Sequence, residues 1–267
     1  MEAILKFTVI IPFYNQQRFV SETISSVLAA IRDEDEIIAI DDCSADATFS
    51  ILQECAKNEP RLAVYKNDVN LRQVKTLNRA ASMASGNILV VLGGDDLLGH
   101  GFVEQLIPHF DEGIDVAFSP VCFFHDISEI NYSASCSRSN DTLSFYDALF
   151  GWGSKAGEKY SIIGCAIRKS TFLELGGFSE NVVIEDHDFF LKATKHKKLL
   201  RLIGGRYAFY RQVPGSISSN MRRMIKEDYR VIKMHAHGAT KYLAMSKRLL
   251  IFLAVFIKRQ LRGKRGV

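Results

Sequence analysis

The stretch Ile88-Leu89-Val90-Val91-Leu92-Gly93-Gly94-Asp95-Asp96 sets five consecutive apolar residues against two glycines and two carboxylates. A short unbroken apolar run rich in β-branched residues and stopped by glycine predicts a strand buried on both faces. The same pattern occurs upstream, where Glu36-Ile37-Ile38-Ala39-Ile40 leads directly into Asp41-Asp42-Cys43-Ser44-Ala45-Asp46. Working outward, further strand-like runs at 7–11 and 61–65 alternate with helical patterns at 20–31, 47–56 and 74–83. In the first of these helices the apolar positions are Val20, Ile24, Val27, Leu28 and Ile31. Alternation of this kind predicts an α/β fold with a mostly parallel sheet covered by helices on both faces. Ligands of such sheets bind beyond the carboxyl ends of the strands, and both acid pairs stand there.

Two clusters of acid at one sheet edge repel each other unless a cation or a hydrogen-bonding ligand is present. In Gly93-Gly94-Asp95-Asp96 the glycines let backbone and ligand approach closely. The carboxylates offer the hard oxygens that Mg²⁺ or Mn²⁺ takes while it also holds a diphosphate. A tight turn capping the next helix is the other reading of the same residues. A second acidic cluster, Glu185-Asp186-His187-Asp188, follows Gly177-Phe178-Ser179-Glu180. Acid at a helix start commonly complements the helix dipole, but three carboxylates in four residues exceed that need, and one of them could serve as a general base. His187, His196, His235 and His237 lack zinc-ligand spacing, and neither a GxSxG elbow nor a GxxxxGK[ST] loop is present. Any phosphate handling would then fall to a metal.

With 267 residues, 47% of them hydrophobic and 24% charged, the chain can bury a core without staples, as one large domain or two small ones. Its five cysteines, Cys43, Cys55, Cys122, Cys136 and Cys165, contain no CxxC pair, which predicts reduced thiols and a cytoplasmic setting. The apolar run at 7–11 follows Glu2 and Lys6 and precedes Pro12, so it reads as a strand rather than a signal peptide. Residues 101–215 are less regular. They suggest a helix near 102–110, a strand at 116–118, a polar loop at 131–142, a strand at 161–167, a short helix ending at Gly176-Gly177 and another helix beginning near Asp186.

Net charge is +4, but residues 221–267 carry 13 Lys and Arg against 2 Asp and Glu, which leaves the rest of the chain acidic. An acidic body is a poor nucleic-acid surface, so no nucleic-acid partner is expected. Within the basic tail, Leu249 to Ile257 is a run of nine apolar residues flanked by Lys247-Arg248 and Lys258-Arg259. As a helix it would rise only about 14 Å, against a bilayer core of about 30 Å, so it cannot span. It either lies in a membrane interface or packs on its own domain or on a second copy in a homo-oligomer.

These motifs together resemble glycosyltransferase family 2. The resemblance rests on Val9-Ile10-Ile11-Pro12-Phe13-Tyr14-Asn15, the segment from Ile40 to Thr48, Asn70 with Asn78, the segment from Ser85 to Asp96, Gly176-Gly177-Phe178 and Glu185-Asp186-His187-Asp188, in that order over residues 7–218. It implies a GT-A fold over 1–218, with a nucleotide-binding half at about 1–100 and an acceptor half at about 101–218, followed by a basic helical region at 219–267. It further implies a metal-dependent, inverting hexosyl or N-acetylhexosaminyl transfer from a nucleotide sugar, commonly a UDP-sugar, with Mn²⁺ or Mg²⁺ as cofactor. Carried over by position, Pro12 and Tyr14 would line the nucleotide pocket, and Asp42, with Asp41, would meet the uracil or ribose. Asp96 and Asp95 would hold the metal, with Asp95 also on the ribose side, and Asp186 would be the catalytic base.

Several positions depart from the family pattern. Gly93 stands where many members have an additional Asp. Arg72 occupies a position near a usual glycine and reads either as a phosphate contact or as a surface charge. The segment from Tyr210 to Ser218 resembles a flexible family loop without its usual His. The QxxRW signature of processive synthases is absent, which favours a single addition to a cell-surface glycan or lipid-linked acceptor at the inner face of the membrane. The alternative reading is a catalytically impaired nucleotide-sugar-binding protein of the same fold.

Overall fold

The computed structural model describes residues 5–136, 141–150, 161–213 and 221–263. In chain order its first half is β1 (Phe7–Phe13), α1 (Val20–Leu28), β2 (Glu36–Asp41), α2 (Thr48–Ala56), β3 (Leu62–Lys66), α3 (Arg72–Met83) and β4 (Ile88–Val91). β1 is buried almost throughout because β2 and β4 pair with it in parallel on either side. Such a central strand can bury both faces, which is why its sequence is nearly continuous in apolar residues. β3 adds in parallel to β2 at the sheet edge. α1 and α2 pack together, and α3 lays its buried Leu77, Ala80 and Ala81 on β1 and β2.

The second half continues with β5 (Leu97–Leu98), α4 (Ile107–Asp111), β6 (Val116–Phe118), β7 (Val121–Phe124), β8 (Ser135–Cys136), β9 (Asp141–Thr142), α5 (Phe145–Phe150), β10 (Cys165–Arg168), α6 (Lys169–Glu174) and α7 (Glu185–Lys195). It ends with β11 (Leu200–Leu202), β12 (Gly205–Arg206), β13 (Ala208–Arg211), α8 (Met221–His235) and α9 (Gly238–Gly263). The central sheet runs β3-β2-β1-β4-β10-β6-β11-β9, and a smaller sheet runs β5-β13-β7. β10 lies antiparallel between β4 and β6, so the parallel run of the first half stops where the second half begins. The four-strand parallel half is the part whose pattern is plainest in the sequence.

Three boundaries differ from the sequence expectation, each for a local reason. The apolar period of α1 continues to Ile31, but the helix ends at Leu28. Beyond it Ala30 N–H bonds Val27 O at 2.9 Å, so the chain tightens into a turn that still buries Ile31. The strand expected from Ser161 begins only at Cys165, after a turn through Gly164 at φ +70°. Pro108 restricts the segment at 102–110 to a 3₁₀ turn (Glu104–Leu106) followed by the short α4. Of the expected polar loop, residues 137–140 lie outside the described residues, while 131–134 form a turn and the remainder the two-residue strands β8 and β9.

An aromatic cluster supports α7 from below. Phe189 meets Phe178 and Phe172, with ring centroids 5.2 and 5.7 Å away, and Phe190 meets Phe118 edge-on at 4.7 Å. The edge-to-face pairs, Phe178–Phe189 and Phe118–Phe190, each add about 0.5–1.5 kcal/mol beyond burial. Asn78 of α3 fixes the preceding turn from the side. Its amide donates to Phe178 O at 2.9 Å and accepts from Phe178 N–H at 3.0 Å. α8 packs on α7 and α9, and α9 packs on α5, so the C-terminal helices are seated on their own domain. No helix among the described residues is long and apolar enough to cross a membrane.

Candidate functional site

β1, β2 and β4 are mutually parallel, so the residues following each emerge at one edge of the sheet. The loops there are tightly held. Asn15 and Cys43 both adopt left-handed backbone, at φ +52° and +63°, and Arg72, at the start of α3, does so at +70°. Such conformations persist in residues with a side chain only when the surroundings fix them. Asn15 N–H donates to Ser44 Oγ at 2.9 Å, and Ala45 N–H donates to Asn15 Oδ1 at 2.9 Å, which braces the first loop against the second.

A cleft of about 750 Å³ opens at this edge. Pro12, Tyr14, Asp42, Arg72, Asp95 and Asp96 line one part of it, and Glu185 and Asp186 of α7 line another. Seven of the eight residues singled out from the sequence therefore meet in one cavity, although up to 174 positions of chain separate them. Asp41 does not line the cleft. It is fully buried, accepts from Ser44 N–H at 3.2 Å and lies 3.8 Å from Lys66 Nζ. Asp42 is held in place by Asn67 Nδ2 at 2.6 Å and Leu71 N–H at 2.8 Å, both donating to Oδ1.

Gly93 explains how the next acid pair is accommodated. A Cβ at that position would collide with Asp96 Oδ2 and stand 3.3 Å from Asp95 Oδ1, so two carboxylate oxygens share the space a side chain would fill. Burial pushes the Asp95 carboxyl up, and burial together with the charge of Asp95 pushes Asp96 well above the usual range. Concentrated and partly desolvated carboxylate of this kind suits a hard divalent cation. Among the described residues no third His, Cys, Asp or Glu joins the pair in a metal-binding group. Two carboxylates alone would suit Mg²⁺ or Mn²⁺ only where a ligand and water supplied the remaining oxygens.

Arg211, at the end of β13, was not singled out in the sequence and is the main cation behind this pair. Its backbone N–H donates to Asp96 Oδ1 at 2.9 Å and its Nε to Asp95 O at 2.8 Å, while Nη2 pairs with Glu22 Oε2 at 2.6 Å. The guanidinium lies between the rings of Phe19 and Phe124, at 4.6 and 4.5 Å. Two signals were readable, a charged residue ending the apolar run Ala208-Phe209-Tyr210 and its place in the loop-like segment from Tyr210 to Ser218, of which residues 214–218 lie outside the described residues.

At the other side of the cleft, two adjacent carboxyl groups have different environments. Burial, then the charge of Asp186, pushes Glu185 up to about 8. Burial also raises Asp186, but the His187 N–H, donating to Asp186 Oδ1 at 2.7 Å, and the charges of His187 and Arg248 hold it back. Near neutral pH Glu185 thus carries a proton, while the hydrogen bond and the charges of His187 and Arg248 favour the ionised form of Asp186. The third acid of the cluster points elsewhere. Asp188 is buried against His235 and Ser179, and although burial alone would raise it, those hydrogen bonds and Lys192 hold it at about 2.

The architecture is a GT-A fold, as its superposition on the solved glycosyltransferases described below shows. The sequence profile of glycosyl transferase family 2 matches residues 8–157, and the chain belongs to that family. TuaG of Bacillus subtilis, a glycosyltransferase assigned to teichuronic acid biosynthesis, is 27% identical over 228 residues, which cover 85% of this chain and 86% of that protein. Another relative, 30% identical over 105 residues, is matched over only 32% of its own length. Among solved structures, Staphylococcus aureus TarS residues 1–349 in complex with UDP-GlcNAc superposes with a TM-score of 0.66 at 20% identity, covering 92% of this chain and 72% of that one. A mannosyltransferase of Pyrobaculum calidifontis in complex with GDP-Man and Mn²⁺ gives 0.64 at 19% identity, over 92% and 70%. The poly(ribitol-phosphate) beta-N-acetylglucosaminyltransferase TarS of Staphylococcus aureus is also similar in sequence, 28% identical over 111 residues that cover 40% of this chain and 19% of that protein.

Proposed function

We propose that this glycosyltransferase moves a hexosyl or N-acetylhexosaminyl group from a UDP-sugar to one hydroxyl of a cell-surface glycan or lipid-linked acceptor, with inversion and by single addition. The observation that carries the reading is the meeting of Asp42, the Asp95–Asp96 pair and Asp186 in one cleft. In this reading residues 1–100 form the donor half and about 101–218 the acceptor half. Pro12 and Tyr14 flank the base, Asp42 receives uracil or ribose, and Arg72 faces the phosphates from the start of α3. Asp96 and Asp95 would hold Mn²⁺ or Mg²⁺, which when bound neutralises charge on the departing diphosphate. The complexes of relatives of this fold with UDP-GlcNAc, and with GDP-Man and Mn²⁺, support such a donor and metal.

Asp186 takes the proton of the acceptor hydroxyl. The freed oxygen pair attacks the anomeric carbon from the face opposite the diphosphate, the bond to the diphosphate breaks, and the configuration inverts. Protonated Glu185 beside it can donate a hydrogen bond without competing as a base. We also place the enzyme in the cytoplasm at the inner membrane face, with the exposed apolar side of α9 against lipid.

Release of UDP from a panel of UDP-sugars, with and without Mn²⁺, tests the reading. Mn²⁺-dependent release that Asp186→Asn abolishes, with UDP binding retained, is the expected result. Tight UDP binding with no turnover of any donor would instead identify an impaired binding protein.

A further inference from the structure

The residue that follows Asp186 is bound on every polar atom of its side chain. His187 is buried, with Nδ1 2.9 Å from Asp228 Oδ1 of α8 and Nε2 3.1 Å from Ala148 O of α5. Asp228 is 1% exposed and accepts two further hydrogen bonds from Arg248 of α9, from Nε at 2.7 Å and from Nη2 at 2.6 Å. That is a bidentate guanidinium–carboxylate pair inside the protein, the geometry with the least orientational freedom available to two charged side chains. The next residue repeats the pattern, since Asp188 Oδ1 lies 2.8 Å from His235 Nε2 of α8. Consecutive residues 187 and 188 are thus each anchored to the C-terminal helices, and together they fix the rotation of the first turn of α7. Asp186 lies in that turn.

We infer that Asp228 and Arg248 are positioning residues for Asp186, acting through His187, and that α8 and α9 complete the reaction centre. The inference rests on the reading of Asp186 as base. It also accounts for an otherwise costly feature, because a charged cluster buried between three helices is a weak source of stability compared with apolar packing. α8 also reaches the cleft directly, since Arg223 and Met224 are among its lining residues.

The charged and titratable groups acting on Asp186 are Glu185 and His187 from its own helix, Cys165 from β10, Asp228 from α8 and Arg248 from α9. Arg248 favours the ionised carboxylate and Asp228 opposes it. A positioning role therefore has a readout that plain structural support lacks. Arg248→Met should lower kcat roughly 10- to 100-fold with UDP affinity unchanged, a cost typical of a slightly misplaced catalytic group. It should also move the acid limb of the kcat–pH profile to higher pH. Arg248→Lys keeps the charge and should leave that limb in place. Asp228→Asn should lower kcat in the same way as Arg248→Met, again without weakening UDP. If Arg248→Met fails to fold, the paired variant Asp228→Asn with Arg248→Met is read by its kcat alone, because the opposite effects of the two charges on the acid limb cancel. Unchanged kcat in Arg248→Met, Asp228→Asn and the paired variant, with an unmoved acid limb in Arg248→Met and only a lower melting temperature, would overturn the inference while leaving Asp186 as base. Full turnover by Asp186→Asn would instead defeat the base reading, and the positioning role with it.

Discussion

Position 93 shows how one missing side chain shapes the chemistry of its neighbours. Because a Cβ there would collide with Asp96 Oδ2, Gly93→Ala forces the Asp96 carboxylate away from Asp95 and should lower Mn²⁺-stimulated UDP release roughly tenfold or more, equivalent to at least about 1.4 kcal/mol at the barrier. A Mn²⁺ titration of UDP release by the variant checks this, and a wild-type rate across the titration would refute it. Glu185 makes the second residue-scale prediction. Its carboxyl titrates at about 8 in the fold against an ordinary 4.5, so the folded chain binds the proton more tightly than the unfolded one. The stabilisation is fully present below 4.5 and is lost as pH rises through about 8. Glu185→Gln mimics the protonated form, so its melting temperature should match the wild type near pH 4.5 and exceed it by several degrees near pH 9, each kcal/mol being worth about 2–4 °C in a chain of this size. Melts at the two pH values that differ equally from wild type would exclude the buried proton. Asp42, Asp95, Asp96 and Asp186 were legible in the sequence because each follows or opens an element whose end the pattern marks. Arg211, Asp228 and Arg248 were not, since their partners Asp96, His187 and Asp228 lie 115, 41 and 20 positions away.

Elements were read where a single period governs them, and missed where tertiary packing decides. β1, β2 and β4 follow from unbroken apolar runs, but nothing in Cys165-Ala166-Ile167-Arg168 says that β10 enters the sheet antiparallel between β4 and β6. The orientation of α7 depends likewise on a contact 100 positions distant, the clamp of Asn78 on both polar groups of the Phe178 backbone. Asn78→Ala leaves that N–H and carbonyl without their partners, at about 1–3 kcal/mol for each group that stays buried and unpaired. A fall in melting temperature of about 5–15 °C is expected, with turnover reduced further than stability alone accounts for, because the turn it fixes leads into the helix of the proposed base. Thermal denaturation and UDP release measured on the same preparation test both parts. A variant as stable as the wild type would show that the turn is held by its aromatic cluster alone.

At the scale of the whole molecule the charge is divided, with a basic C-terminal segment on an acidic body, and the structure shows how that segment is arranged. The inner face of α9 packs on α8 and α5, while Tyr242, Leu243, Leu249, Leu250 and Leu253 are all at least 41% exposed on the other side. At 100° per residue these five fall within an arc of about 120°, with Lys247 exposed at its edge. The sequence showed the apolar run but not which of its residues the domain would cover, because that depends on where α9 meets α5. Truncation before Ser246 would remove Arg248 along with the apolar face and so confuse membrane contact with the support of α7. Leu243→Ser, Leu250→Ser and Leu253→Ser together leave the Asp228–Arg248 pair in place. Each leucine contributes at most about 1.5–3 kcal/mol when fully withdrawn from water, and basic side chains near an anionic surface add about 1 kcal/mol each. The triple variant should therefore lose at least about tenfold in cosedimentation with phosphatidylglycerol vesicles, while its release of UDP from soluble substrates stays at the wild-type rate. Raising the salt concentration should weaken the wild type toward the same level, since screening removes the electrostatic part of the attraction. If the wild type does not sediment with such vesicles even at low salt, the exposed face of α9 serves a protein partner or a second copy of this chain, and the membrane placement fails.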